Sequence, residues 1–318
     1  MIVTVTANPA TDRLVGLLEP LERGGVVRSD VPHDDPGGKG VNVARVLHAA
    51  GVPVTAVLPA GSDEPLLTAP EARGLPHRAV PIEGRLRVNL TLAVPDGSTT
   101  KVNSPGPQLD PTEVETLTQA VVDAARPGGW AVLSGSLPPG VPADWYATTT
   151  IRLQQAGVRV AVDASGEALA EAVKHASPQL IKPNAEELAE LIGCDAAEVE
   201  SDRYEAVRRA QELREARGIE TVLLTLGGDG TVLATAAGSW FCPPVKITVR
   251  STVGAGDSSL AGYLIAEVAG HGPADCLASA AVHGAAAAAL PGSALPTPAD
   301  LADAPEAVPV EPAGWRKP

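Results

Sequence analysis

The sequence predicts an α/β protein: a mostly parallel central sheet with helices on both faces, and a small β-sheet set apart from it. Three observations carry this. Short β-branched apolar runs alternate with helical segments along most of the 318 residues, the pattern of repeated βαβ units. Hydrophobic residues make up 44% of the chain but aromatics only 3%. The core must therefore be Ala, Val and Leu, which suits strands buried between helices. Two stretches, Asp12 to Asp35 and Arg85 to Asn103, break the alternation and read as β rather than helix.

The elements follow in order. Val3–Thr6 is a short strand that runs into a turn, and Val41–Ala50 is a helix closed by Gly51. VPVTAVL is the next strand. LRVNLTLAV and DGSTTKVN form a hairpin, with period-two alternation around an Asp96–Gly97 turn. Thr112–Ala125 is helical, residues 130–133 form a strand leading to SGSLPPG, and Ala143–Ala156 is helical. VRVAVD is a strand ending at Asp163, Glu167–Lys174 a helix, and QLIKPN a strand and turn. Ala185–Ile192 and Tyr204–Arg217 are helices, and TVLLTL is a buried strand ending in GGDG. From Pro291 the chain is rich in proline and acid, with little periodicity beyond a short segment at Asp300, and partial disorder is expected. In a sheet of this kind functional loops belong at the carboxyl ends of the strands.

The formal net charge is −14, which argues against nucleic acid or an anionic membrane as partner. An anionic substrate would need local cations to reverse that field. No segment approaches the apolar run of about 20 residues that a membrane span needs. The start MIVTVTANPA lacks a basic region and a long apolar run, so it reads as a strand rather than a signal peptide. Cys194, Cys242 and Cys276 are far apart and form no CxxC pair, as expected of reduced thiols in a cytoplasmic protein.

The chemistry concentrates in four motifs. STVGAGDSSLAGYL (251–264) places glycines before a helix that begins near Gly256. Glycines there let backbone N–H groups approach an anion, with the positive end of the helix dipole behind them. Asp257, beside that anion, is placed to accept a proton from an attacking hydroxyl, which is what phosphoryl transfer to an alcohol requires. An aspartate capping a glycine turn is the alternative. GGKGVNVARVL (37–47) is a second glycine-rich helix entry, carrying Lys39 and Asn42, and is not a Walker motif. KPNAEEL (182–188) sets Asn184 and Glu187 three apart at a helix start. Such a pair can hold a hydrated Mg²⁺ through its waters, and is equally good as a capping box. LTLGGDG (224–230) suits a nucleotide wall or an ordinary hairpin turn.

Together, in this order, these motifs resemble the ribokinase-like sugar kinases, or PfkB family, and within it the branch of 1-phosphofructokinases and tagatose-6-phosphate kinases. TANPATDR, GGKGVNVARVL, LRVN, SGSLPPGV, DASGEAL, IKPNAEEL, LTLGGDG and STVGAGDS carry the likeness over roughly residues 2–298. The resemblance implies a ribokinase-like three-layer fold. Residues 1–11, 36–84 and 104–298 would form the main domain, 12–35 and 85–103 a β lid over the sugar, and 299–318 a tail. It implies ATP as co-substrate, Mg²⁺ as cofactor, a sugar phosphate as acceptor and a homodimer joined through the lid. Asp257 would be the catalytic base, and Gly254, Ala255 and Gly256 the anion hole. Asn184 and Glu187 would organise Mg²⁺ through water, with Lys182 near the phosphates. Thr225, Gly227 and Gly230 would line the nucleotide site, opposite Ser251, Thr252 and Val253. Asp12, Gly38 and Asn42 would meet sugar hydroxyls, and Lys39, Arg87 and Lys101 the sugar's existing phosphate. Ser136 and Asp163 would lie at strand ends near the cleft.

The expected reaction is phosphorylation of D-fructose 1-phosphate. Tagatose-6-phosphate kinase or 6-phosphofructokinase chemistry is the same-class alternative, and a non-catalytic sugar-phosphate sensor the different-class one. An unphosphorylated ribose or nucleoside would not need Lys39, Arg87 and Lys101 together. Three departures from the branch stand out: Leu86 for a threonine, Lys101 for an acid, and Ser251 for an asparagine. The first two bear on which sugar is bound.

Overall fold

The computed structural model describes residues 1–61, 64–69, 74–95, 98–200, 202–302 and 304–310. The first part of the chain gives β1 (Ile2–Thr6), β2 (Ala10–Gly16), β3 (His33–Gly37), α1 (Lys39–Ala49), β4 (Val54–Pro59), α2 (Pro65–Thr68), β5 (His77–Val80), β6 (Arg87–Ala93) and β7 (Thr99–Asn103). The middle gives α3 (Pro111–Ala124), β8 (Trp130–Ser134), α4 (Trp145–Gln155), β9 (Arg159–Asp163), α5 (Gly166–His175), β10 (Leu180–Ile181), α6 (Ala185–Ile192), α7 (Ala196–Glu200) and α8 (Arg203–Arg217). The last part gives β11 (Thr221–Thr225), β12 (Thr231–Thr235), β13 (Gly238–Cys242), α9 (Ala255–Val268), α10 (Pro273–Ala289) and α11 (Pro298–Ala302).

Nine strands make the main sheet in the order β13-β12-β11-β10-β9-β8-β1-β4-β5. Pairing is parallel from β11 to β5. The β11–β12–β13 edge is antiparallel, because the GGDG segment closes a hairpin. Successive residues of each strand face opposite layers. Val3, Val5 and Leu133 join the cluster under α3, α4, α5, α6 and α8. Ile2, Val132 and Ala161 join the cluster under α1, α9 and α10, with Leu47, Leu260 and Leu277. Helices therefore cover both faces.

The second sheet has four strands in the order β3-β2-β6-β7. β6 and β7 pair antiparallel, Asn89 opposite Asn103 and Ala93 opposite Thr99; the expected Asp96–Gly97 turn lies outside the described residues. β2 pairs parallel with β6, Asp12 opposite Asn89, and antiparallel with β3, Asp12 opposite Asp35. In the tail after Pro291 the short segment expected at Asp300 is present, and residues 304–310 are more ordered than composition suggests, while 311–318 lie outside the described residues. Pro298–Ala302 is helical, and Val310 exchanges backbone hydrogen bonds with Phe241 on β13. The open edge of the sheet accepts any extended backbone, a preference that composition does not reveal.

Candidate active site

The register of the main sheet sets the floor of the site. Thr6 of β1 lies beside Ser134 of β8, and Ser134 beside Asp163 of β9, all at carboxyl ends. Lys182 follows β10 directly, and Asn184 bridges to Thr225 at the end of β11. Crossovers in a parallel sheet bring five chain segments to one edge here.

Asp163 is the hub. It is fully buried, and its Oδ1 accepts Nζ of Lys39 at 2.8 Å and faces Nζ of Lys182 at 3.3 Å. Burial alone would raise its carboxyl; the two ammonium groups outweigh that and hold it below the usual range. Lys39 is also moved, upward, because its attraction to Asp163 and Asp257 outweighs its own burial. The resemblance assigned Lys39 to the sugar's phosphate, beside Arg87 and Lys101. The structure sets it beside Lys182, on the floor of the cleft, with its side chain still 36% exposed.

Above this hub stands the first turn of α9. Gly254 caps it with φ of 74°, and a Cβ there would fall 2.7 Å from Cδ2 of Leu295, so glycine is required twice over. No side chain caps the helix; Ala255 N–H reaches only the Thr252 carbonyl, at 3.4 Å, and the N–H groups that follow in the first turn have no carbonyl one turn back to bond. Nζ of Lys182 lies 3.2 Å from where a Cβ of Gly256 would be, which sets an ammonium beside those donors. Asp257 follows one residue on. It is 7% exposed, and its Oδ2 accepts Nδ2 of Asn42 at 2.8 Å. Burial, then the charge of Asp163, pushes its carboxyl up to about 6, against the pull of Lys39, Asn42 and Lys182. A buried carboxylate tuned toward neutrality beside a helix N-terminus has the chemistry a general base requires. Asn42, expected among the sugar ligands, orients this base.

Of the residues expected at the nucleotide, Asn184, Thr225, Gly227 and the Ser251–Val253 segment lie at this end of the sheet, but Gly230 is buried, with its Cβ position 2.4 Å from the carbonyl of Cys242 on β13, so it packs the hairpin rather than lining a surface. Asn184 and Glu187 form a complete capping box: Oδ1 of Asn184 accepts Glu187 N–H at 2.7 Å, and Oε2 of Glu187 accepts Asn184 N–H at 2.9 Å. Burial raises the Glu187 carboxyl, while Lys39 and the cap N–H pull it back. Nothing stands within 4 Å of the Cβ positions of Gly227 and Gly228, which leaves open surface beside β11. Oγ of Ser251 accepts Val253 N–H at 3.2 Å and shapes the approach to Gly254. Among the described residues no cluster of three or more His, Cys, Asp or Glu is arranged to hold a metal ion. The donor set fits Mg²⁺ as it usually binds beside a nucleotide, through waters and phosphate oxygens with few protein ligands. Glu187 has a second carboxylate oxygen for such a water.

The four-stranded sheet supplies the opposite wall. Alternation puts Asp12, Arg87, Asn89 and Lys101 on one face. Oδ1 of Asp12 accepts Nδ2 of Asn89 at 2.8 Å. Burial raises the Asp12 carboxyl, with Asp35 adding to the rise and Asn89, Arg87 and Lys101 opposing it. Arg87 donates to the carbonyls of Asn8 at 3.0 Å and Ser104 at 3.2 Å. Oγ of Ser136 accepts Nδ2 of Asn8 at 3.3 Å. Sequence reasoning passed over Asn8, Asp35 and Asn89. For Asn89 a signal existed: it sits two residues from Arg87 on a strand, so it shares the face.

Comparison with known proteins agrees with this geometry. The profile of the pfkB family of carbohydrate kinases matches residues 6–300. The 1-phosphofructokinase of Haloferax volcanii is 38% identical over 280 residues, 87% of this chain and 87% of its own. The ATP-dependent 6-phosphofructokinase isozyme 2 of Mycobacterium tuberculosis is 34% identical over 273 residues, covering 83% of this chain and 77% of that one. The crystal structure of phosphofructokinase-2 from Escherichia coli in complex with fructose-6-phosphate superposes with a TM-score of 0.87 at 27% identity, covering 95% of this chain and 97% of that one.

Proposed function

Because this chain belongs to the pfkB family of carbohydrate kinases, we propose that it transfers the γ-phosphoryl group of ATP to D-fructose 1-phosphate, giving fructose 1,6-bisphosphate and ADP. One observation carries the kinase chemistry: Asp257, buried and held by Asn42, stands at the glycine turn that heads α9. The names of the chain's relatives support the sugar phosphate as acceptor.

The reaction follows from the geometry. Asp257 takes the proton of the acceptor hydroxyl as that oxygen attacks phosphorus in line. The backbone of Gly254, Ala255 and Gly256, with Lys182 and Lys39, stabilises charge on the transferring group. Asn184 and Glu187 would hold Mg²⁺ through water; when bound, the ion neutralises phosphate charge. Asp12 and Asn89 meet sugar hydroxyls, while Arg87 and Lys101 attract the acceptor's existing phosphate. Closure of the four-stranded sheet as a lid would keep water from the γ-phosphate.

We also propose that two copies join through the outer face of this lid. Val88 and Val102 point away from Asp12 and are 38% and 53% exposed, and Val26 and Val31 in the β2–β3 connection are more than nine-tenths exposed. The proposed setting is the cytoplasm; among the described residues no helix is long and apolar enough to cross a membrane.

A second reading, 6-phosphofructokinase activity, is favoured by the relative of that name. An ADP-release assay with Mg·ATP and fructose 1-phosphate, fructose 6-phosphate, tagatose 6-phosphate and fructose separates the two. We expect the highest kcat/KM for fructose 1-phosphate. A preference for a 6-phosphate would keep the mechanism and reverse the sugar, and binding without turnover would point to a sensor.

A further inference from the structure

Asn8 lies between β1 of the main sheet and β2 of the lid, and is 3% exposed. Its Nδ2 donates to the carbonyl of Pro105 at 2.9 Å and to Oγ of Ser136 at 3.3 Å. Its own carbonyl accepts Nη2 of Arg87 at 3.0 Å, while Nη1 of Arg87 reaches the Ser104 carbonyl at 3.2 Å. Gly106 has φ of 100°, and a Cβ there would fall 2.2 Å from Oδ1 of Asn8. The chain passes between the two sheets at residues 7–9, at the start of β6 and at residues 104–106. These three of the four passages meet at this one asparagine; the fourth, from β3 into α1 at Gly38, does not.

The knot faces space. A cavity of about 550 Å³ is lined by Asn8, Arg87, Pro105, Ser136 and Glu167, among others. It shares Arg87 and Pro105 with a recess of about 420 Å³ that adds Arg85 and Ser104. Two polar atoms at the junction, Oδ1 of Asn8 and Nε of Arg87, are buried without a hydrogen-bond partner. A buried donor and acceptor left unpaired are unfavourable, and an arginine with free donors is suited to a phosphate.

We propose that Asn8 is a positioning residue for the acceptor's phosphate: its main-chain carbonyl holds Arg87, its side-chain amide ties Ser136 to Pro105 of the returning lid segment, and this tie sets the site's preference for phosphorylated over free sugar. The inference rests on the sugar-phosphate kinase reading above. The side chain must be an amide. An aspartate could not donate to the Pro105 carbonyl, and its charge would draw Arg87 away from the ligand. An alanine would release Pro105 and Ser136 together.

The test is steady-state kinetics of the full chain and its Asn8→Ala and Asn8→Asp variants, with the preferred sugar phosphate and with the matching unphosphorylated sugar. For Asn8→Ala we expect KM for the sugar phosphate to rise on the order of tenfold, with KM for ATP and kcat within about twofold. The kcat/KM ratio of phosphorylated to free sugar should fall on the same scale, and Asn8→Asp should lower it further. If Asn8→Ala fails to fold, Asn8→Ser keeps a short donor and carries the same expectation at smaller amplitude. Equal losses on both acceptors, or loss in kcat alone, would overturn the proposal while leaving the kinase reading intact. A parent enzyme inactive on every sugar phosphate would overturn both.

Discussion

Replacing Asp257 with asparagine should cut turnover by orders of magnitude and stabilise the protein at once. The carboxyl is buried, and its pKa moves from 3.8 to about 6. A displacement of that size corresponds to about 3 kcal/mol. The sign follows from linkage. A carboxyl raised on folding binds its proton more readily in the folded state, so its ionised form burdens the fold above pH 6. As pH falls from about 6 toward 3.8, the folded state takes up the proton before the unfolded one does, and stability rises. Asp257→Asn removes the charge and keeps an oxygen to accept from Asn42. The ligand-free variant should therefore exceed its parent in unfolding free energy by on the order of 3 kcal/mol at pH 8. The gap should shrink to roughly half at pH 5 and vanish below pH 4. Subtracting parent from variant cancels the carboxyl groups that Asp257 does not act on electrostatically. Urea unfolding of both proteins across this pH series measures the gap, and the turnover assay at pH 8 should show kcat lower by about 10²–10⁴. A variant no more stable than its parent at pH 8, or a gap that does not close with acid, would refute the electrostatic account. Near-normal kcat would refute the catalytic one.

Three further outcomes are expected. Gly254→Ala forces a Cβ against Leu295 at a φ of 74°; kcat should fall by about 10² or more through the displaced donors, with far-UV circular dichroism unchanged. Asn184→Ala removes the acceptor of the α6 cap and should cost about 1 kcal/mol in thermal unfolding. If the pair also organises Mg²⁺, the concentration of Mg²⁺ needed for half-maximal rate should rise, and an unchanged Mg²⁺ titration would leave the box purely structural. Lys182→Met strips one of the two ammonium partners from buried Asp163. The loss in stability should approach the 3–5 kcal/mol typical of a broken buried pair, and KM for ATP should rise in the same variant.

The fold was legible because its signals are local. Alternating strand and helix periods, Gly51 after α1 and the cap at Asn184 each depend on a few neighbouring residues. The glycine turn before Asp257 was legible for the same reason. What escaped depends on contacts far apart in the chain. The contact of Lys39 with Asp163 escaped, because no local pattern says that a lysine near the start will meet an aspartate 124 positions later. Asn8 was passed over because its partners lie at Pro105 and Ser136. The pairing of Val310 with Phe241 escaped composition altogether, since an exposed strand edge asks only for extended backbone.

The charges at the floor of the cleft explain how a chain of net charge −14 can keep such a site ready for a polyanion. Lys39 and Lys182 bring two positive charges, and Asp163 and Asp257 two negative ones when both are ionised. The group is then neutral, so the ligand-free protein does not confine two ammonium groups uncompensated. Asp163 is pinned in its ionised form by both lysines. Asp257 is pushed the other way, toward protonation, although the same lysines lie near it. The difference is that Asp163 contacts the ammonium groups directly, while Asp257 is hydrogen-bonded to a neutral amide. Two carboxylates in one site are thus driven apart in proton affinity, which separates a fixed counter-ion from a mobile proton acceptor. When Asp257 takes the acceptor's proton, the group acquires a net positive charge at the moment the phosphoryl group passes to the new oxygen. On the proposed mechanism, the cation that stabilises the transition state is then partly created by the reaction itself rather than held in advance against the field of an acidic protein.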